Sequence, residues 1–130
     1  MMIRMTFSLL LISLLSMLYA QVYEIPDSSA VTGVGSVFEI KRSEFLNITV
    51  ESSKTVFAYV QSTNQQIIIN VAKPGPEDLT TTLTIKNLTP ETSYNLIRNG
   101  VSEVIYPDDS GMYQCEVNLT NPQKIMICTR

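Results

Sequence analysis

The chain has 130 residues, twelve acidic and nine basic, for a formal net charge of −3, with 45% hydrophobic residues and neither histidine nor tryptophan. The missing histidine removes the commonest general base, the usual zinc ligand and every Ser-His or Cys-His dyad, and scattered Lys and Arg in a mildly acidic chain argue against a nucleic-acid partner. The length suits one domain with a single core and is too short for two.

Residues 1–20 read as an export signal. Arg4 supplies the positive start, residues 7–18 are apolar without a charge, and Leu18-Tyr19-Ala20 ends on a small residue suited to cleavage before Gln21. The apolar run is shorter than the ~20 residues that a membrane span needs, and no stop-transfer charges follow it, which disfavours an anchor. The expectation is a signal peptide over 1–20 and one secreted, extracellular domain over 21–130, with no membrane span after cleavage.

Residues 21–35 keep no steady apolar period and contain Pro26, Gly33 and Gly35, so they read as a leader along a sheet edge. Residues 36–41 alternate, with Phe38 and Ile40 on one side and Val37 and Glu39 on the other. In 45–51, Leu46, Ile48 and Val50 face one way while Asn47, Thr49 and Glu51 face the other, and Ser52-Ser53-Lys54 is expected to turn the chain. Residues 55–61 are apolar on both faces, which suits a central strand. After polar 62–66, three isoleucines and Val71 predict a buried strand over 67–72, too short and too branched for a helix. Lys73-Pro74-Gly75-Pro76-Glu77-Asp78 is the strongest breaker and reads as a long connection inside one domain. Residues 79–86 alternate again, with Leu79, Thr81, Leu83 and Ile85 inward.

A corner follows. Pro90 fixes φ and offers no amide, Asn87 and Thr89 can bond local backbone, and Tyr94 begins a new alternating run. The spacing Leu88-Thr89-Pro90-Glu91-Thr92-Ser93-Tyr94 resembles the L-x-P-x-T-x-Y corner of fibronectin type III modules. That resemblance implies a Tyr94 hydroxyl bonded back to the corner's backbone, with its ring at the core edge. Asn99-Gly100 supplies the positive φ angles of a tight hairpin, and residues 101–106 return. Asp109-Ser110-Gly111-Met112-Tyr113-Gln114-Cys115 is similar to the D-x-G-x-Y-x-C signature of immunoglobulin domains, although no mature upstream cysteine and no tryptophan accompany it. The arrangement also resembles small sandwich modules appended to secreted polysaccharide-acting enzymes and surface proteins. These likenesses cover roughly the last fifty residues.

Beyond the corner, Tyr113, Cys115, Val117 and Leu119 share a face, and residues 123–128 close the chain. A hairpin centred between Asn121 and Pro122 would place Cys115 opposite Cys128, and an exported protein meets an oxidising compartment, so a Cys115–Cys128 disulfide is expected. Such a bridge would contribute about 3 kcal/mol in the chain-entropy model. Asn47-Ile48-Thr49, Asn87-Leu88-Thr89 and Asn118-Leu119-Thr120 match the N-glycosylation acceptor pattern, which makes the chain a candidate glycoprotein at Asn47, Asn87 and Asn118.

About nine short strands, turns at short intervals and no helical period after the leader predict an all-β antiparallel sandwich of fibronectin III-like or immunoglobulin-like type, with a small barrel as the structural alternative. No catalytic residues, metal ligands or cofactor motifs emerge. Asp108-Asp109-Ser110 could donate oxygens to Ca²⁺, but Asp and Gly are the ordinary residues of a turn. Sugar binding calls for exposed aromatics, and Phe57, Tyr59 and Tyr106 are the candidates for ligand contact. The expected function is a secreted, non-catalytic structural, adhesion or protein-interaction module whose partner is an extracellular protein or glycan. A carbohydrate-binding accessory module is the alternative.

Overall fold

The structure is a computed structural model that describes residues 21–24, 29–40, 48–63 and 65–130; residues 1–20, where the signal peptide is expected, and Asn47 lie outside the described residues. It is all-β, with nine strands and no helix among the described residues. In chain order these are β1 (Gln21–Glu24), β2 (Ala30–Ile40), β3 (Ile48–Ser62), β4 (Gln66–Ala72), β5 (Thr80–Lys86), β6 (Tyr94–Arg98), β7 (Val101–Ile105), β8 (Tyr113–Asn118) and β9 (Gln123–Thr129).

All pairings are antiparallel, and every strand belongs to one hydrogen-bonded sheet that forks at β3. One branch runs β1-β2-β3-β4-β9-β6-β7; the other leaves β3 through β5 to β8. The fork works because β3 is fifteen residues long. Its first part, from Thr49 to Ser52, pairs with β5, and its last part, from Phe57 to Ser62, pairs with β4. β2 accompanies β3 along both parts, and its register shifts between Gly35 and Val37.

This corrects the expected turn at Ser52-Ser53-Lys54. The chain does not reverse there. It runs on through a single strand, and residues 52–55 absorb the register shift opposite Ser36. The ladder lost at the jog is replaced by side chains. The buried Ser52 Oγ lies 2.5 Å from Thr81 Oγ1, the Lys54 N–H donates to Thr81 Oγ1 at 3.2 Å, and the Thr82 N–H donates to Ser53 Oγ at 3.0 Å. Small hydroxyl residues are therefore what lets β3 change partners without orphaning polar groups.

Alternation sets what is buried. Ile48, Val50, Val56, Ala58 and Val60 of β3 point inward, as do Ile67, Ile69 and Val71 of β4, Leu83 and Ile85 of β5, and Ile125 and Ile127 of β9. Residues from both branches form one hydrophobic cluster, in which each fully buried side chain contributes roughly 1.5–3 kcal/mol. Among the described residues the strand count is the expected one, reached by a different route: residues 48–51 and the strand expected over 55–61 belong to one strand, β3, and residues 21–24, expected as part of an edge segment, form β1.

The corner expected around Pro90 forms. The Thr89 N–H donates to the Tyr94 hydroxyl at 3.1 Å, the Tyr94 ring is buried, and Asn87 and Glu91 take the positive φ angles that reverse the chain. A second turn is tied to it, because the Leu88 N–H donates to the Gly111 carbonyl at 3.0 Å. Asp108 closes that turn by accepting from the N–H groups of Ser110 and Met112 and from the Ser110 hydroxyl. Asn99 and Gly100 make the positive-φ hairpin between β6 and β7.

The expected hairpin of the last two strands does not form. β8 pairs with β5, whereas β9 lies between β4 and β6, so the two belong to different branches. Cys115 sits opposite Leu83 with its side chain against the core, while Cys128 sits opposite Gln66 and Asn95, next to the inward Ile127 and so on the outer face. The Cys115–Cys128 disulfide is accordingly not formed and both thiols are free. One thiol points inward and the other outward, which no choice of rotamer bridges.

Candidate functional site

Strands β3, β4, β9 and β6 are buried on their inner faces, and the residues between the inward positions form an outer surface whose rows follow from the pairing register. One row runs Val34, Phe57, Ala72. The next runs Tyr23, Thr32, Tyr59, Asn70, Lys124. A third runs Gln61, Ile68, Met126, Ile97, Ser102, and a fourth Gln66, Cys128, Asn95, Val104. Phe57 is 45% exposed and Tyr23 61% exposed, while Tyr59, Ile68, Met126 and Ile97 are half-buried. Both faces of these strands are thus largely apolar, although only the inner one contributes to the buried hydrophobic cluster.

The outer surface of the β5–β8 branch has a different chemistry. Thr80, Thr82, Thr84 and Lys86 of β5 lie beside Gln114, Glu116 and Asn118 of β8, with the Gln114 amide donating to Thr84 Oγ1 at 3.1 Å. Two of the three glycosylation candidates belong to this branch. Asn87 is exposed at the end of β5. Asn118 is exposed at the end of β8, where its Oδ1 accepts from the N–H and hydroxyl of Thr120 and its amide nitrogen points away from that contact. Asn47 lies outside the described residues.

The aromatic candidates divide. Phe57 and Tyr59 alternate on one strand and share the outer face. Tyr106, 65% exposed, follows the end of β7, four strands away and at the opposite end of the rows. It forms no common surface with the other two. Tyr23 takes its place, because β1 pairs with β2 so that Tyr23 stands two strands from Tyr59 in the same row. Sequence reasoning passed over Tyr23 because the stretch around it has no period; only its register against β2 shows which way it faces.

Beside Phe57 the surface dips into a recess of about 350 Å³ at the end of β4 and β9, bounded by Asn70, Ala72, Pro122, Gln123 and Lys124. Gln123 is held in place, its Oε1 accepting from Asn99 Nδ2 at 2.7 Å. Lys73 and Lys86 are paired with Asp78 and Glu51, whereas Lys124 has no such partner among the described residues.

A second polar cluster lies along the seam between β8 and the β6–β7 hairpin. Arg98 Nη2 donates to the Glu116 carbonyl at 2.5 Å, a group on the edge of β8 that no strand pairs. Burial pushes the Tyr113 hydroxyl up, with the charges of Cys115 and Glu103 adding to the effect. Burial likewise pushes the Cys115 thiol up, and Arg98 offsets part of that rise. Glu103 directed toward this seam also blunts β7 as an edge, since an inward-pointing charge opposes further strand pairing. Asp108, by contrast, is exposed, and the hydrogen bonds from Met112 and Ser110 hold its carboxyl below the usual carboxylate range.

Among the described residues no three His, Cys, Asp or Glu side chains converge on a point that could hold a metal ion, and no helix is long and apolar enough to cross a membrane. The chain matches no family model, no curated protein and no solved structure.

Proposed function

We propose that the chain is a secreted, non-catalytic β-sandwich module of fibronectin III-like or immunoglobulin-like type that presents its outer face to another extracellular macromolecule in a structural or adhesive role. In this reading the two branches of the sheet are the two layers of the sandwich. The observation that carries the proposal is the asymmetry between the two outer surfaces. Threonines, charges and the Asn87 and Asn118 acceptors occupy the β5–β8 side, while Phe57, Ile68, Ile97 and Met126 are left partly open to solvent on the other. A contiguous apolar patch on a soluble chain marks an interaction surface more often than chance.

The test is to export the full-length chain from its own cells and follow where the product resides. Expected is an extracellular product beginning at Gln21 that stays with the cell surface or matrix, is released by Ile68→Asp or Met126→Asp, and is unaffected by Thr82→Asp. Retention of the product in the cytosol, turnover of a substrate by the purified product, or release by Thr82→Asp alone would sink the reading. Circular dichroism on each variant separates loss of the surface from loss of the fold.

A further inference from the structure

Three features compete for a further role. The seam thiol Cys115 has no second group that points to a ligand, and the β7 edge is guarded by Glu103. The aromatic end of the outer face carries more. Tyr23, Tyr59 and Phe57 occupy two adjacent rows: Tyr23 and Tyr59 stand two strands apart, about 10 Å at normal strand spacing, and Phe57 lies one step of about 7 Å along β3 from Tyr59. Between and beside them are hydroxyl and amide side chains, Thr32, Gln61 and Asn70, and the recess with Lys124 at its lip.

We propose that this end of the face binds a glycan chain of hexopyranose rings bearing an anionic group, with Phe57 and Tyr59 as the stacking platform and Lys124 as the charge contact. The proposal rests on the surface-presenting reading above and names a partner for the aromatic end of that surface. A pyranose ring offers an apolar C–H face and a rim of hydroxyls, so it wants an exposed ring to lie on and amides at its edge. Rings flanked by amides and hydroxyls on one face of a sheet supply that combination, whereas a protein partner is better served by the aliphatic row Ile68, Met126, Ile97 farther along. Charge decides the kind of glycan. In a chain with twelve acidic residues against nine basic, the four rows contain no carboxylate and one cation, Lys124, which has no acidic partner among the described residues. A carboxylate or sulfate on the sugar completes that pairing, and the resulting contact is screened by salt.

The experiment uses the exported product of the full-length chain in affinity electrophoresis and titration calorimetry against three probes: a polyuronate, a sulfated polysaccharide and a neutral β-glucan. Expected is saturable binding of one or both anionic probes, the two arms telling carboxylate from sulfate. Phe57→Ala should weaken it at least ten-fold, Lys124→Gln should weaken it several-fold and flatten its salt dependence, and Tyr106→Ala at the far corner should leave it unchanged. No binding to any probe, equal binding of the neutral glucan, or an equal loss from Tyr106→Ala overturns the proposal. So does light scattering that shows a dimer broken by Phe57→Ala, because the face is then covered by a second copy. An inert, exported protein that binds no glycan defeats this inference alone; release of sugar from a probe defeats the non-catalytic reading beneath it.

Discussion

The Tyr94 hydroxyl accepts from the Thr89 N–H at 3.1 Å, across the corner that joins the two branches of the sheet. Tyr94→Phe keeps the buried ring and removes only that acceptor, so a cost of about 1–2 kcal/mol is expected from the orphaned N–H. Tyr94→Ala also empties a core site and should cost about 3–5 kcal/mol. Urea unfolding of the three proteins measures both, and a Phe variant as stable as the parent would show that the hydrogen bond contributes nothing.

Three glycines should respond differently to alanine. At Gly75 an added methyl meets nothing, and the change should lie within about 0.5 kcal/mol of neutral. Gly100 also has open space but a φ of 79°, so about 1–2 kcal/mol is expected from the left-handed backbone alone. At Gly111, with φ of 78°, the methyl would stand 2.2 Å from the Leu88 carbonyl oxygen, whose residue is hydrogen-bonded to Gly111 itself. A loss of more than about 3 kcal/mol is expected there. Thermal denaturation that gave any other order would contradict the described turn.

Thr81→Val preserves shape and deletes the hydroxyl that Ser52, Ser53 and the Lys54 N–H share. The expected cost is about 1–3 kcal/mol, because the jog in β3 has no ladder to fall back on. A double-mutant cycle with Ser52→Ala should show coupling of at least about 0.5 kcal/mol. Strict additivity would mean that the two hydroxyls act independently.

The two cysteines should remain free thiols in the exported protein, so reductant should leave its melting temperature unchanged and intact mass after alkylation should report two labels. Because burial raises the Cys115 thiol in the folded state, the unfolded chain gives up that proton first. Its stabilising contribution is full below the ordinary thiol range and is lost as pH rises through that range toward the folded value. Cys115→Ala should therefore reduce the alkaline decline in stability, and an unchanged alkaline limb would refute the assignment.

On the acid side the sign reverses. The hydrogen bonds to Asp108 hold its carboxyl low, so its contribution is present above the ordinary carboxylate value and disappears as pH falls through the folded one. Asp108→Asn should flatten the acid limb of the stability curve near Gly111, read by amide exchange of Met112, whose N–H is bonded to Asp108.

Much of the local structure was legible from residue types. The corner at Pro90 and Tyr94, the Asn99-Gly100 hairpin and the inward sets of β5 and β8 follow from turn chemistry and from a side-chain period of two. The jog at Ser52–Lys54 was misread because serines beside a lysine signal a turn as readily as a bulge. What distinguishes them is Thr81, which lies far along the chain and arrives only through pairing. The candidate site was half legible: Phe57 and Tyr59 declared themselves by strand position, whereas Tyr23 and the exclusion of Tyr106 depended on neighbours.

Taken alone, the chain determined that it would be built from strands and which side chains in most of them would avoid water, because alternation is a property of each strand by itself. Which strands lie side by side was decided only in three dimensions. β8 adjoins β5 rather than β9, so the two thiols end up on different branches of the sheet, one toward the core and one away from it, instead of in a bond. Strand partners are chosen by how whole faces pack and close over one core, and that information is spread across residues too distant in sequence for any local pattern to hold it.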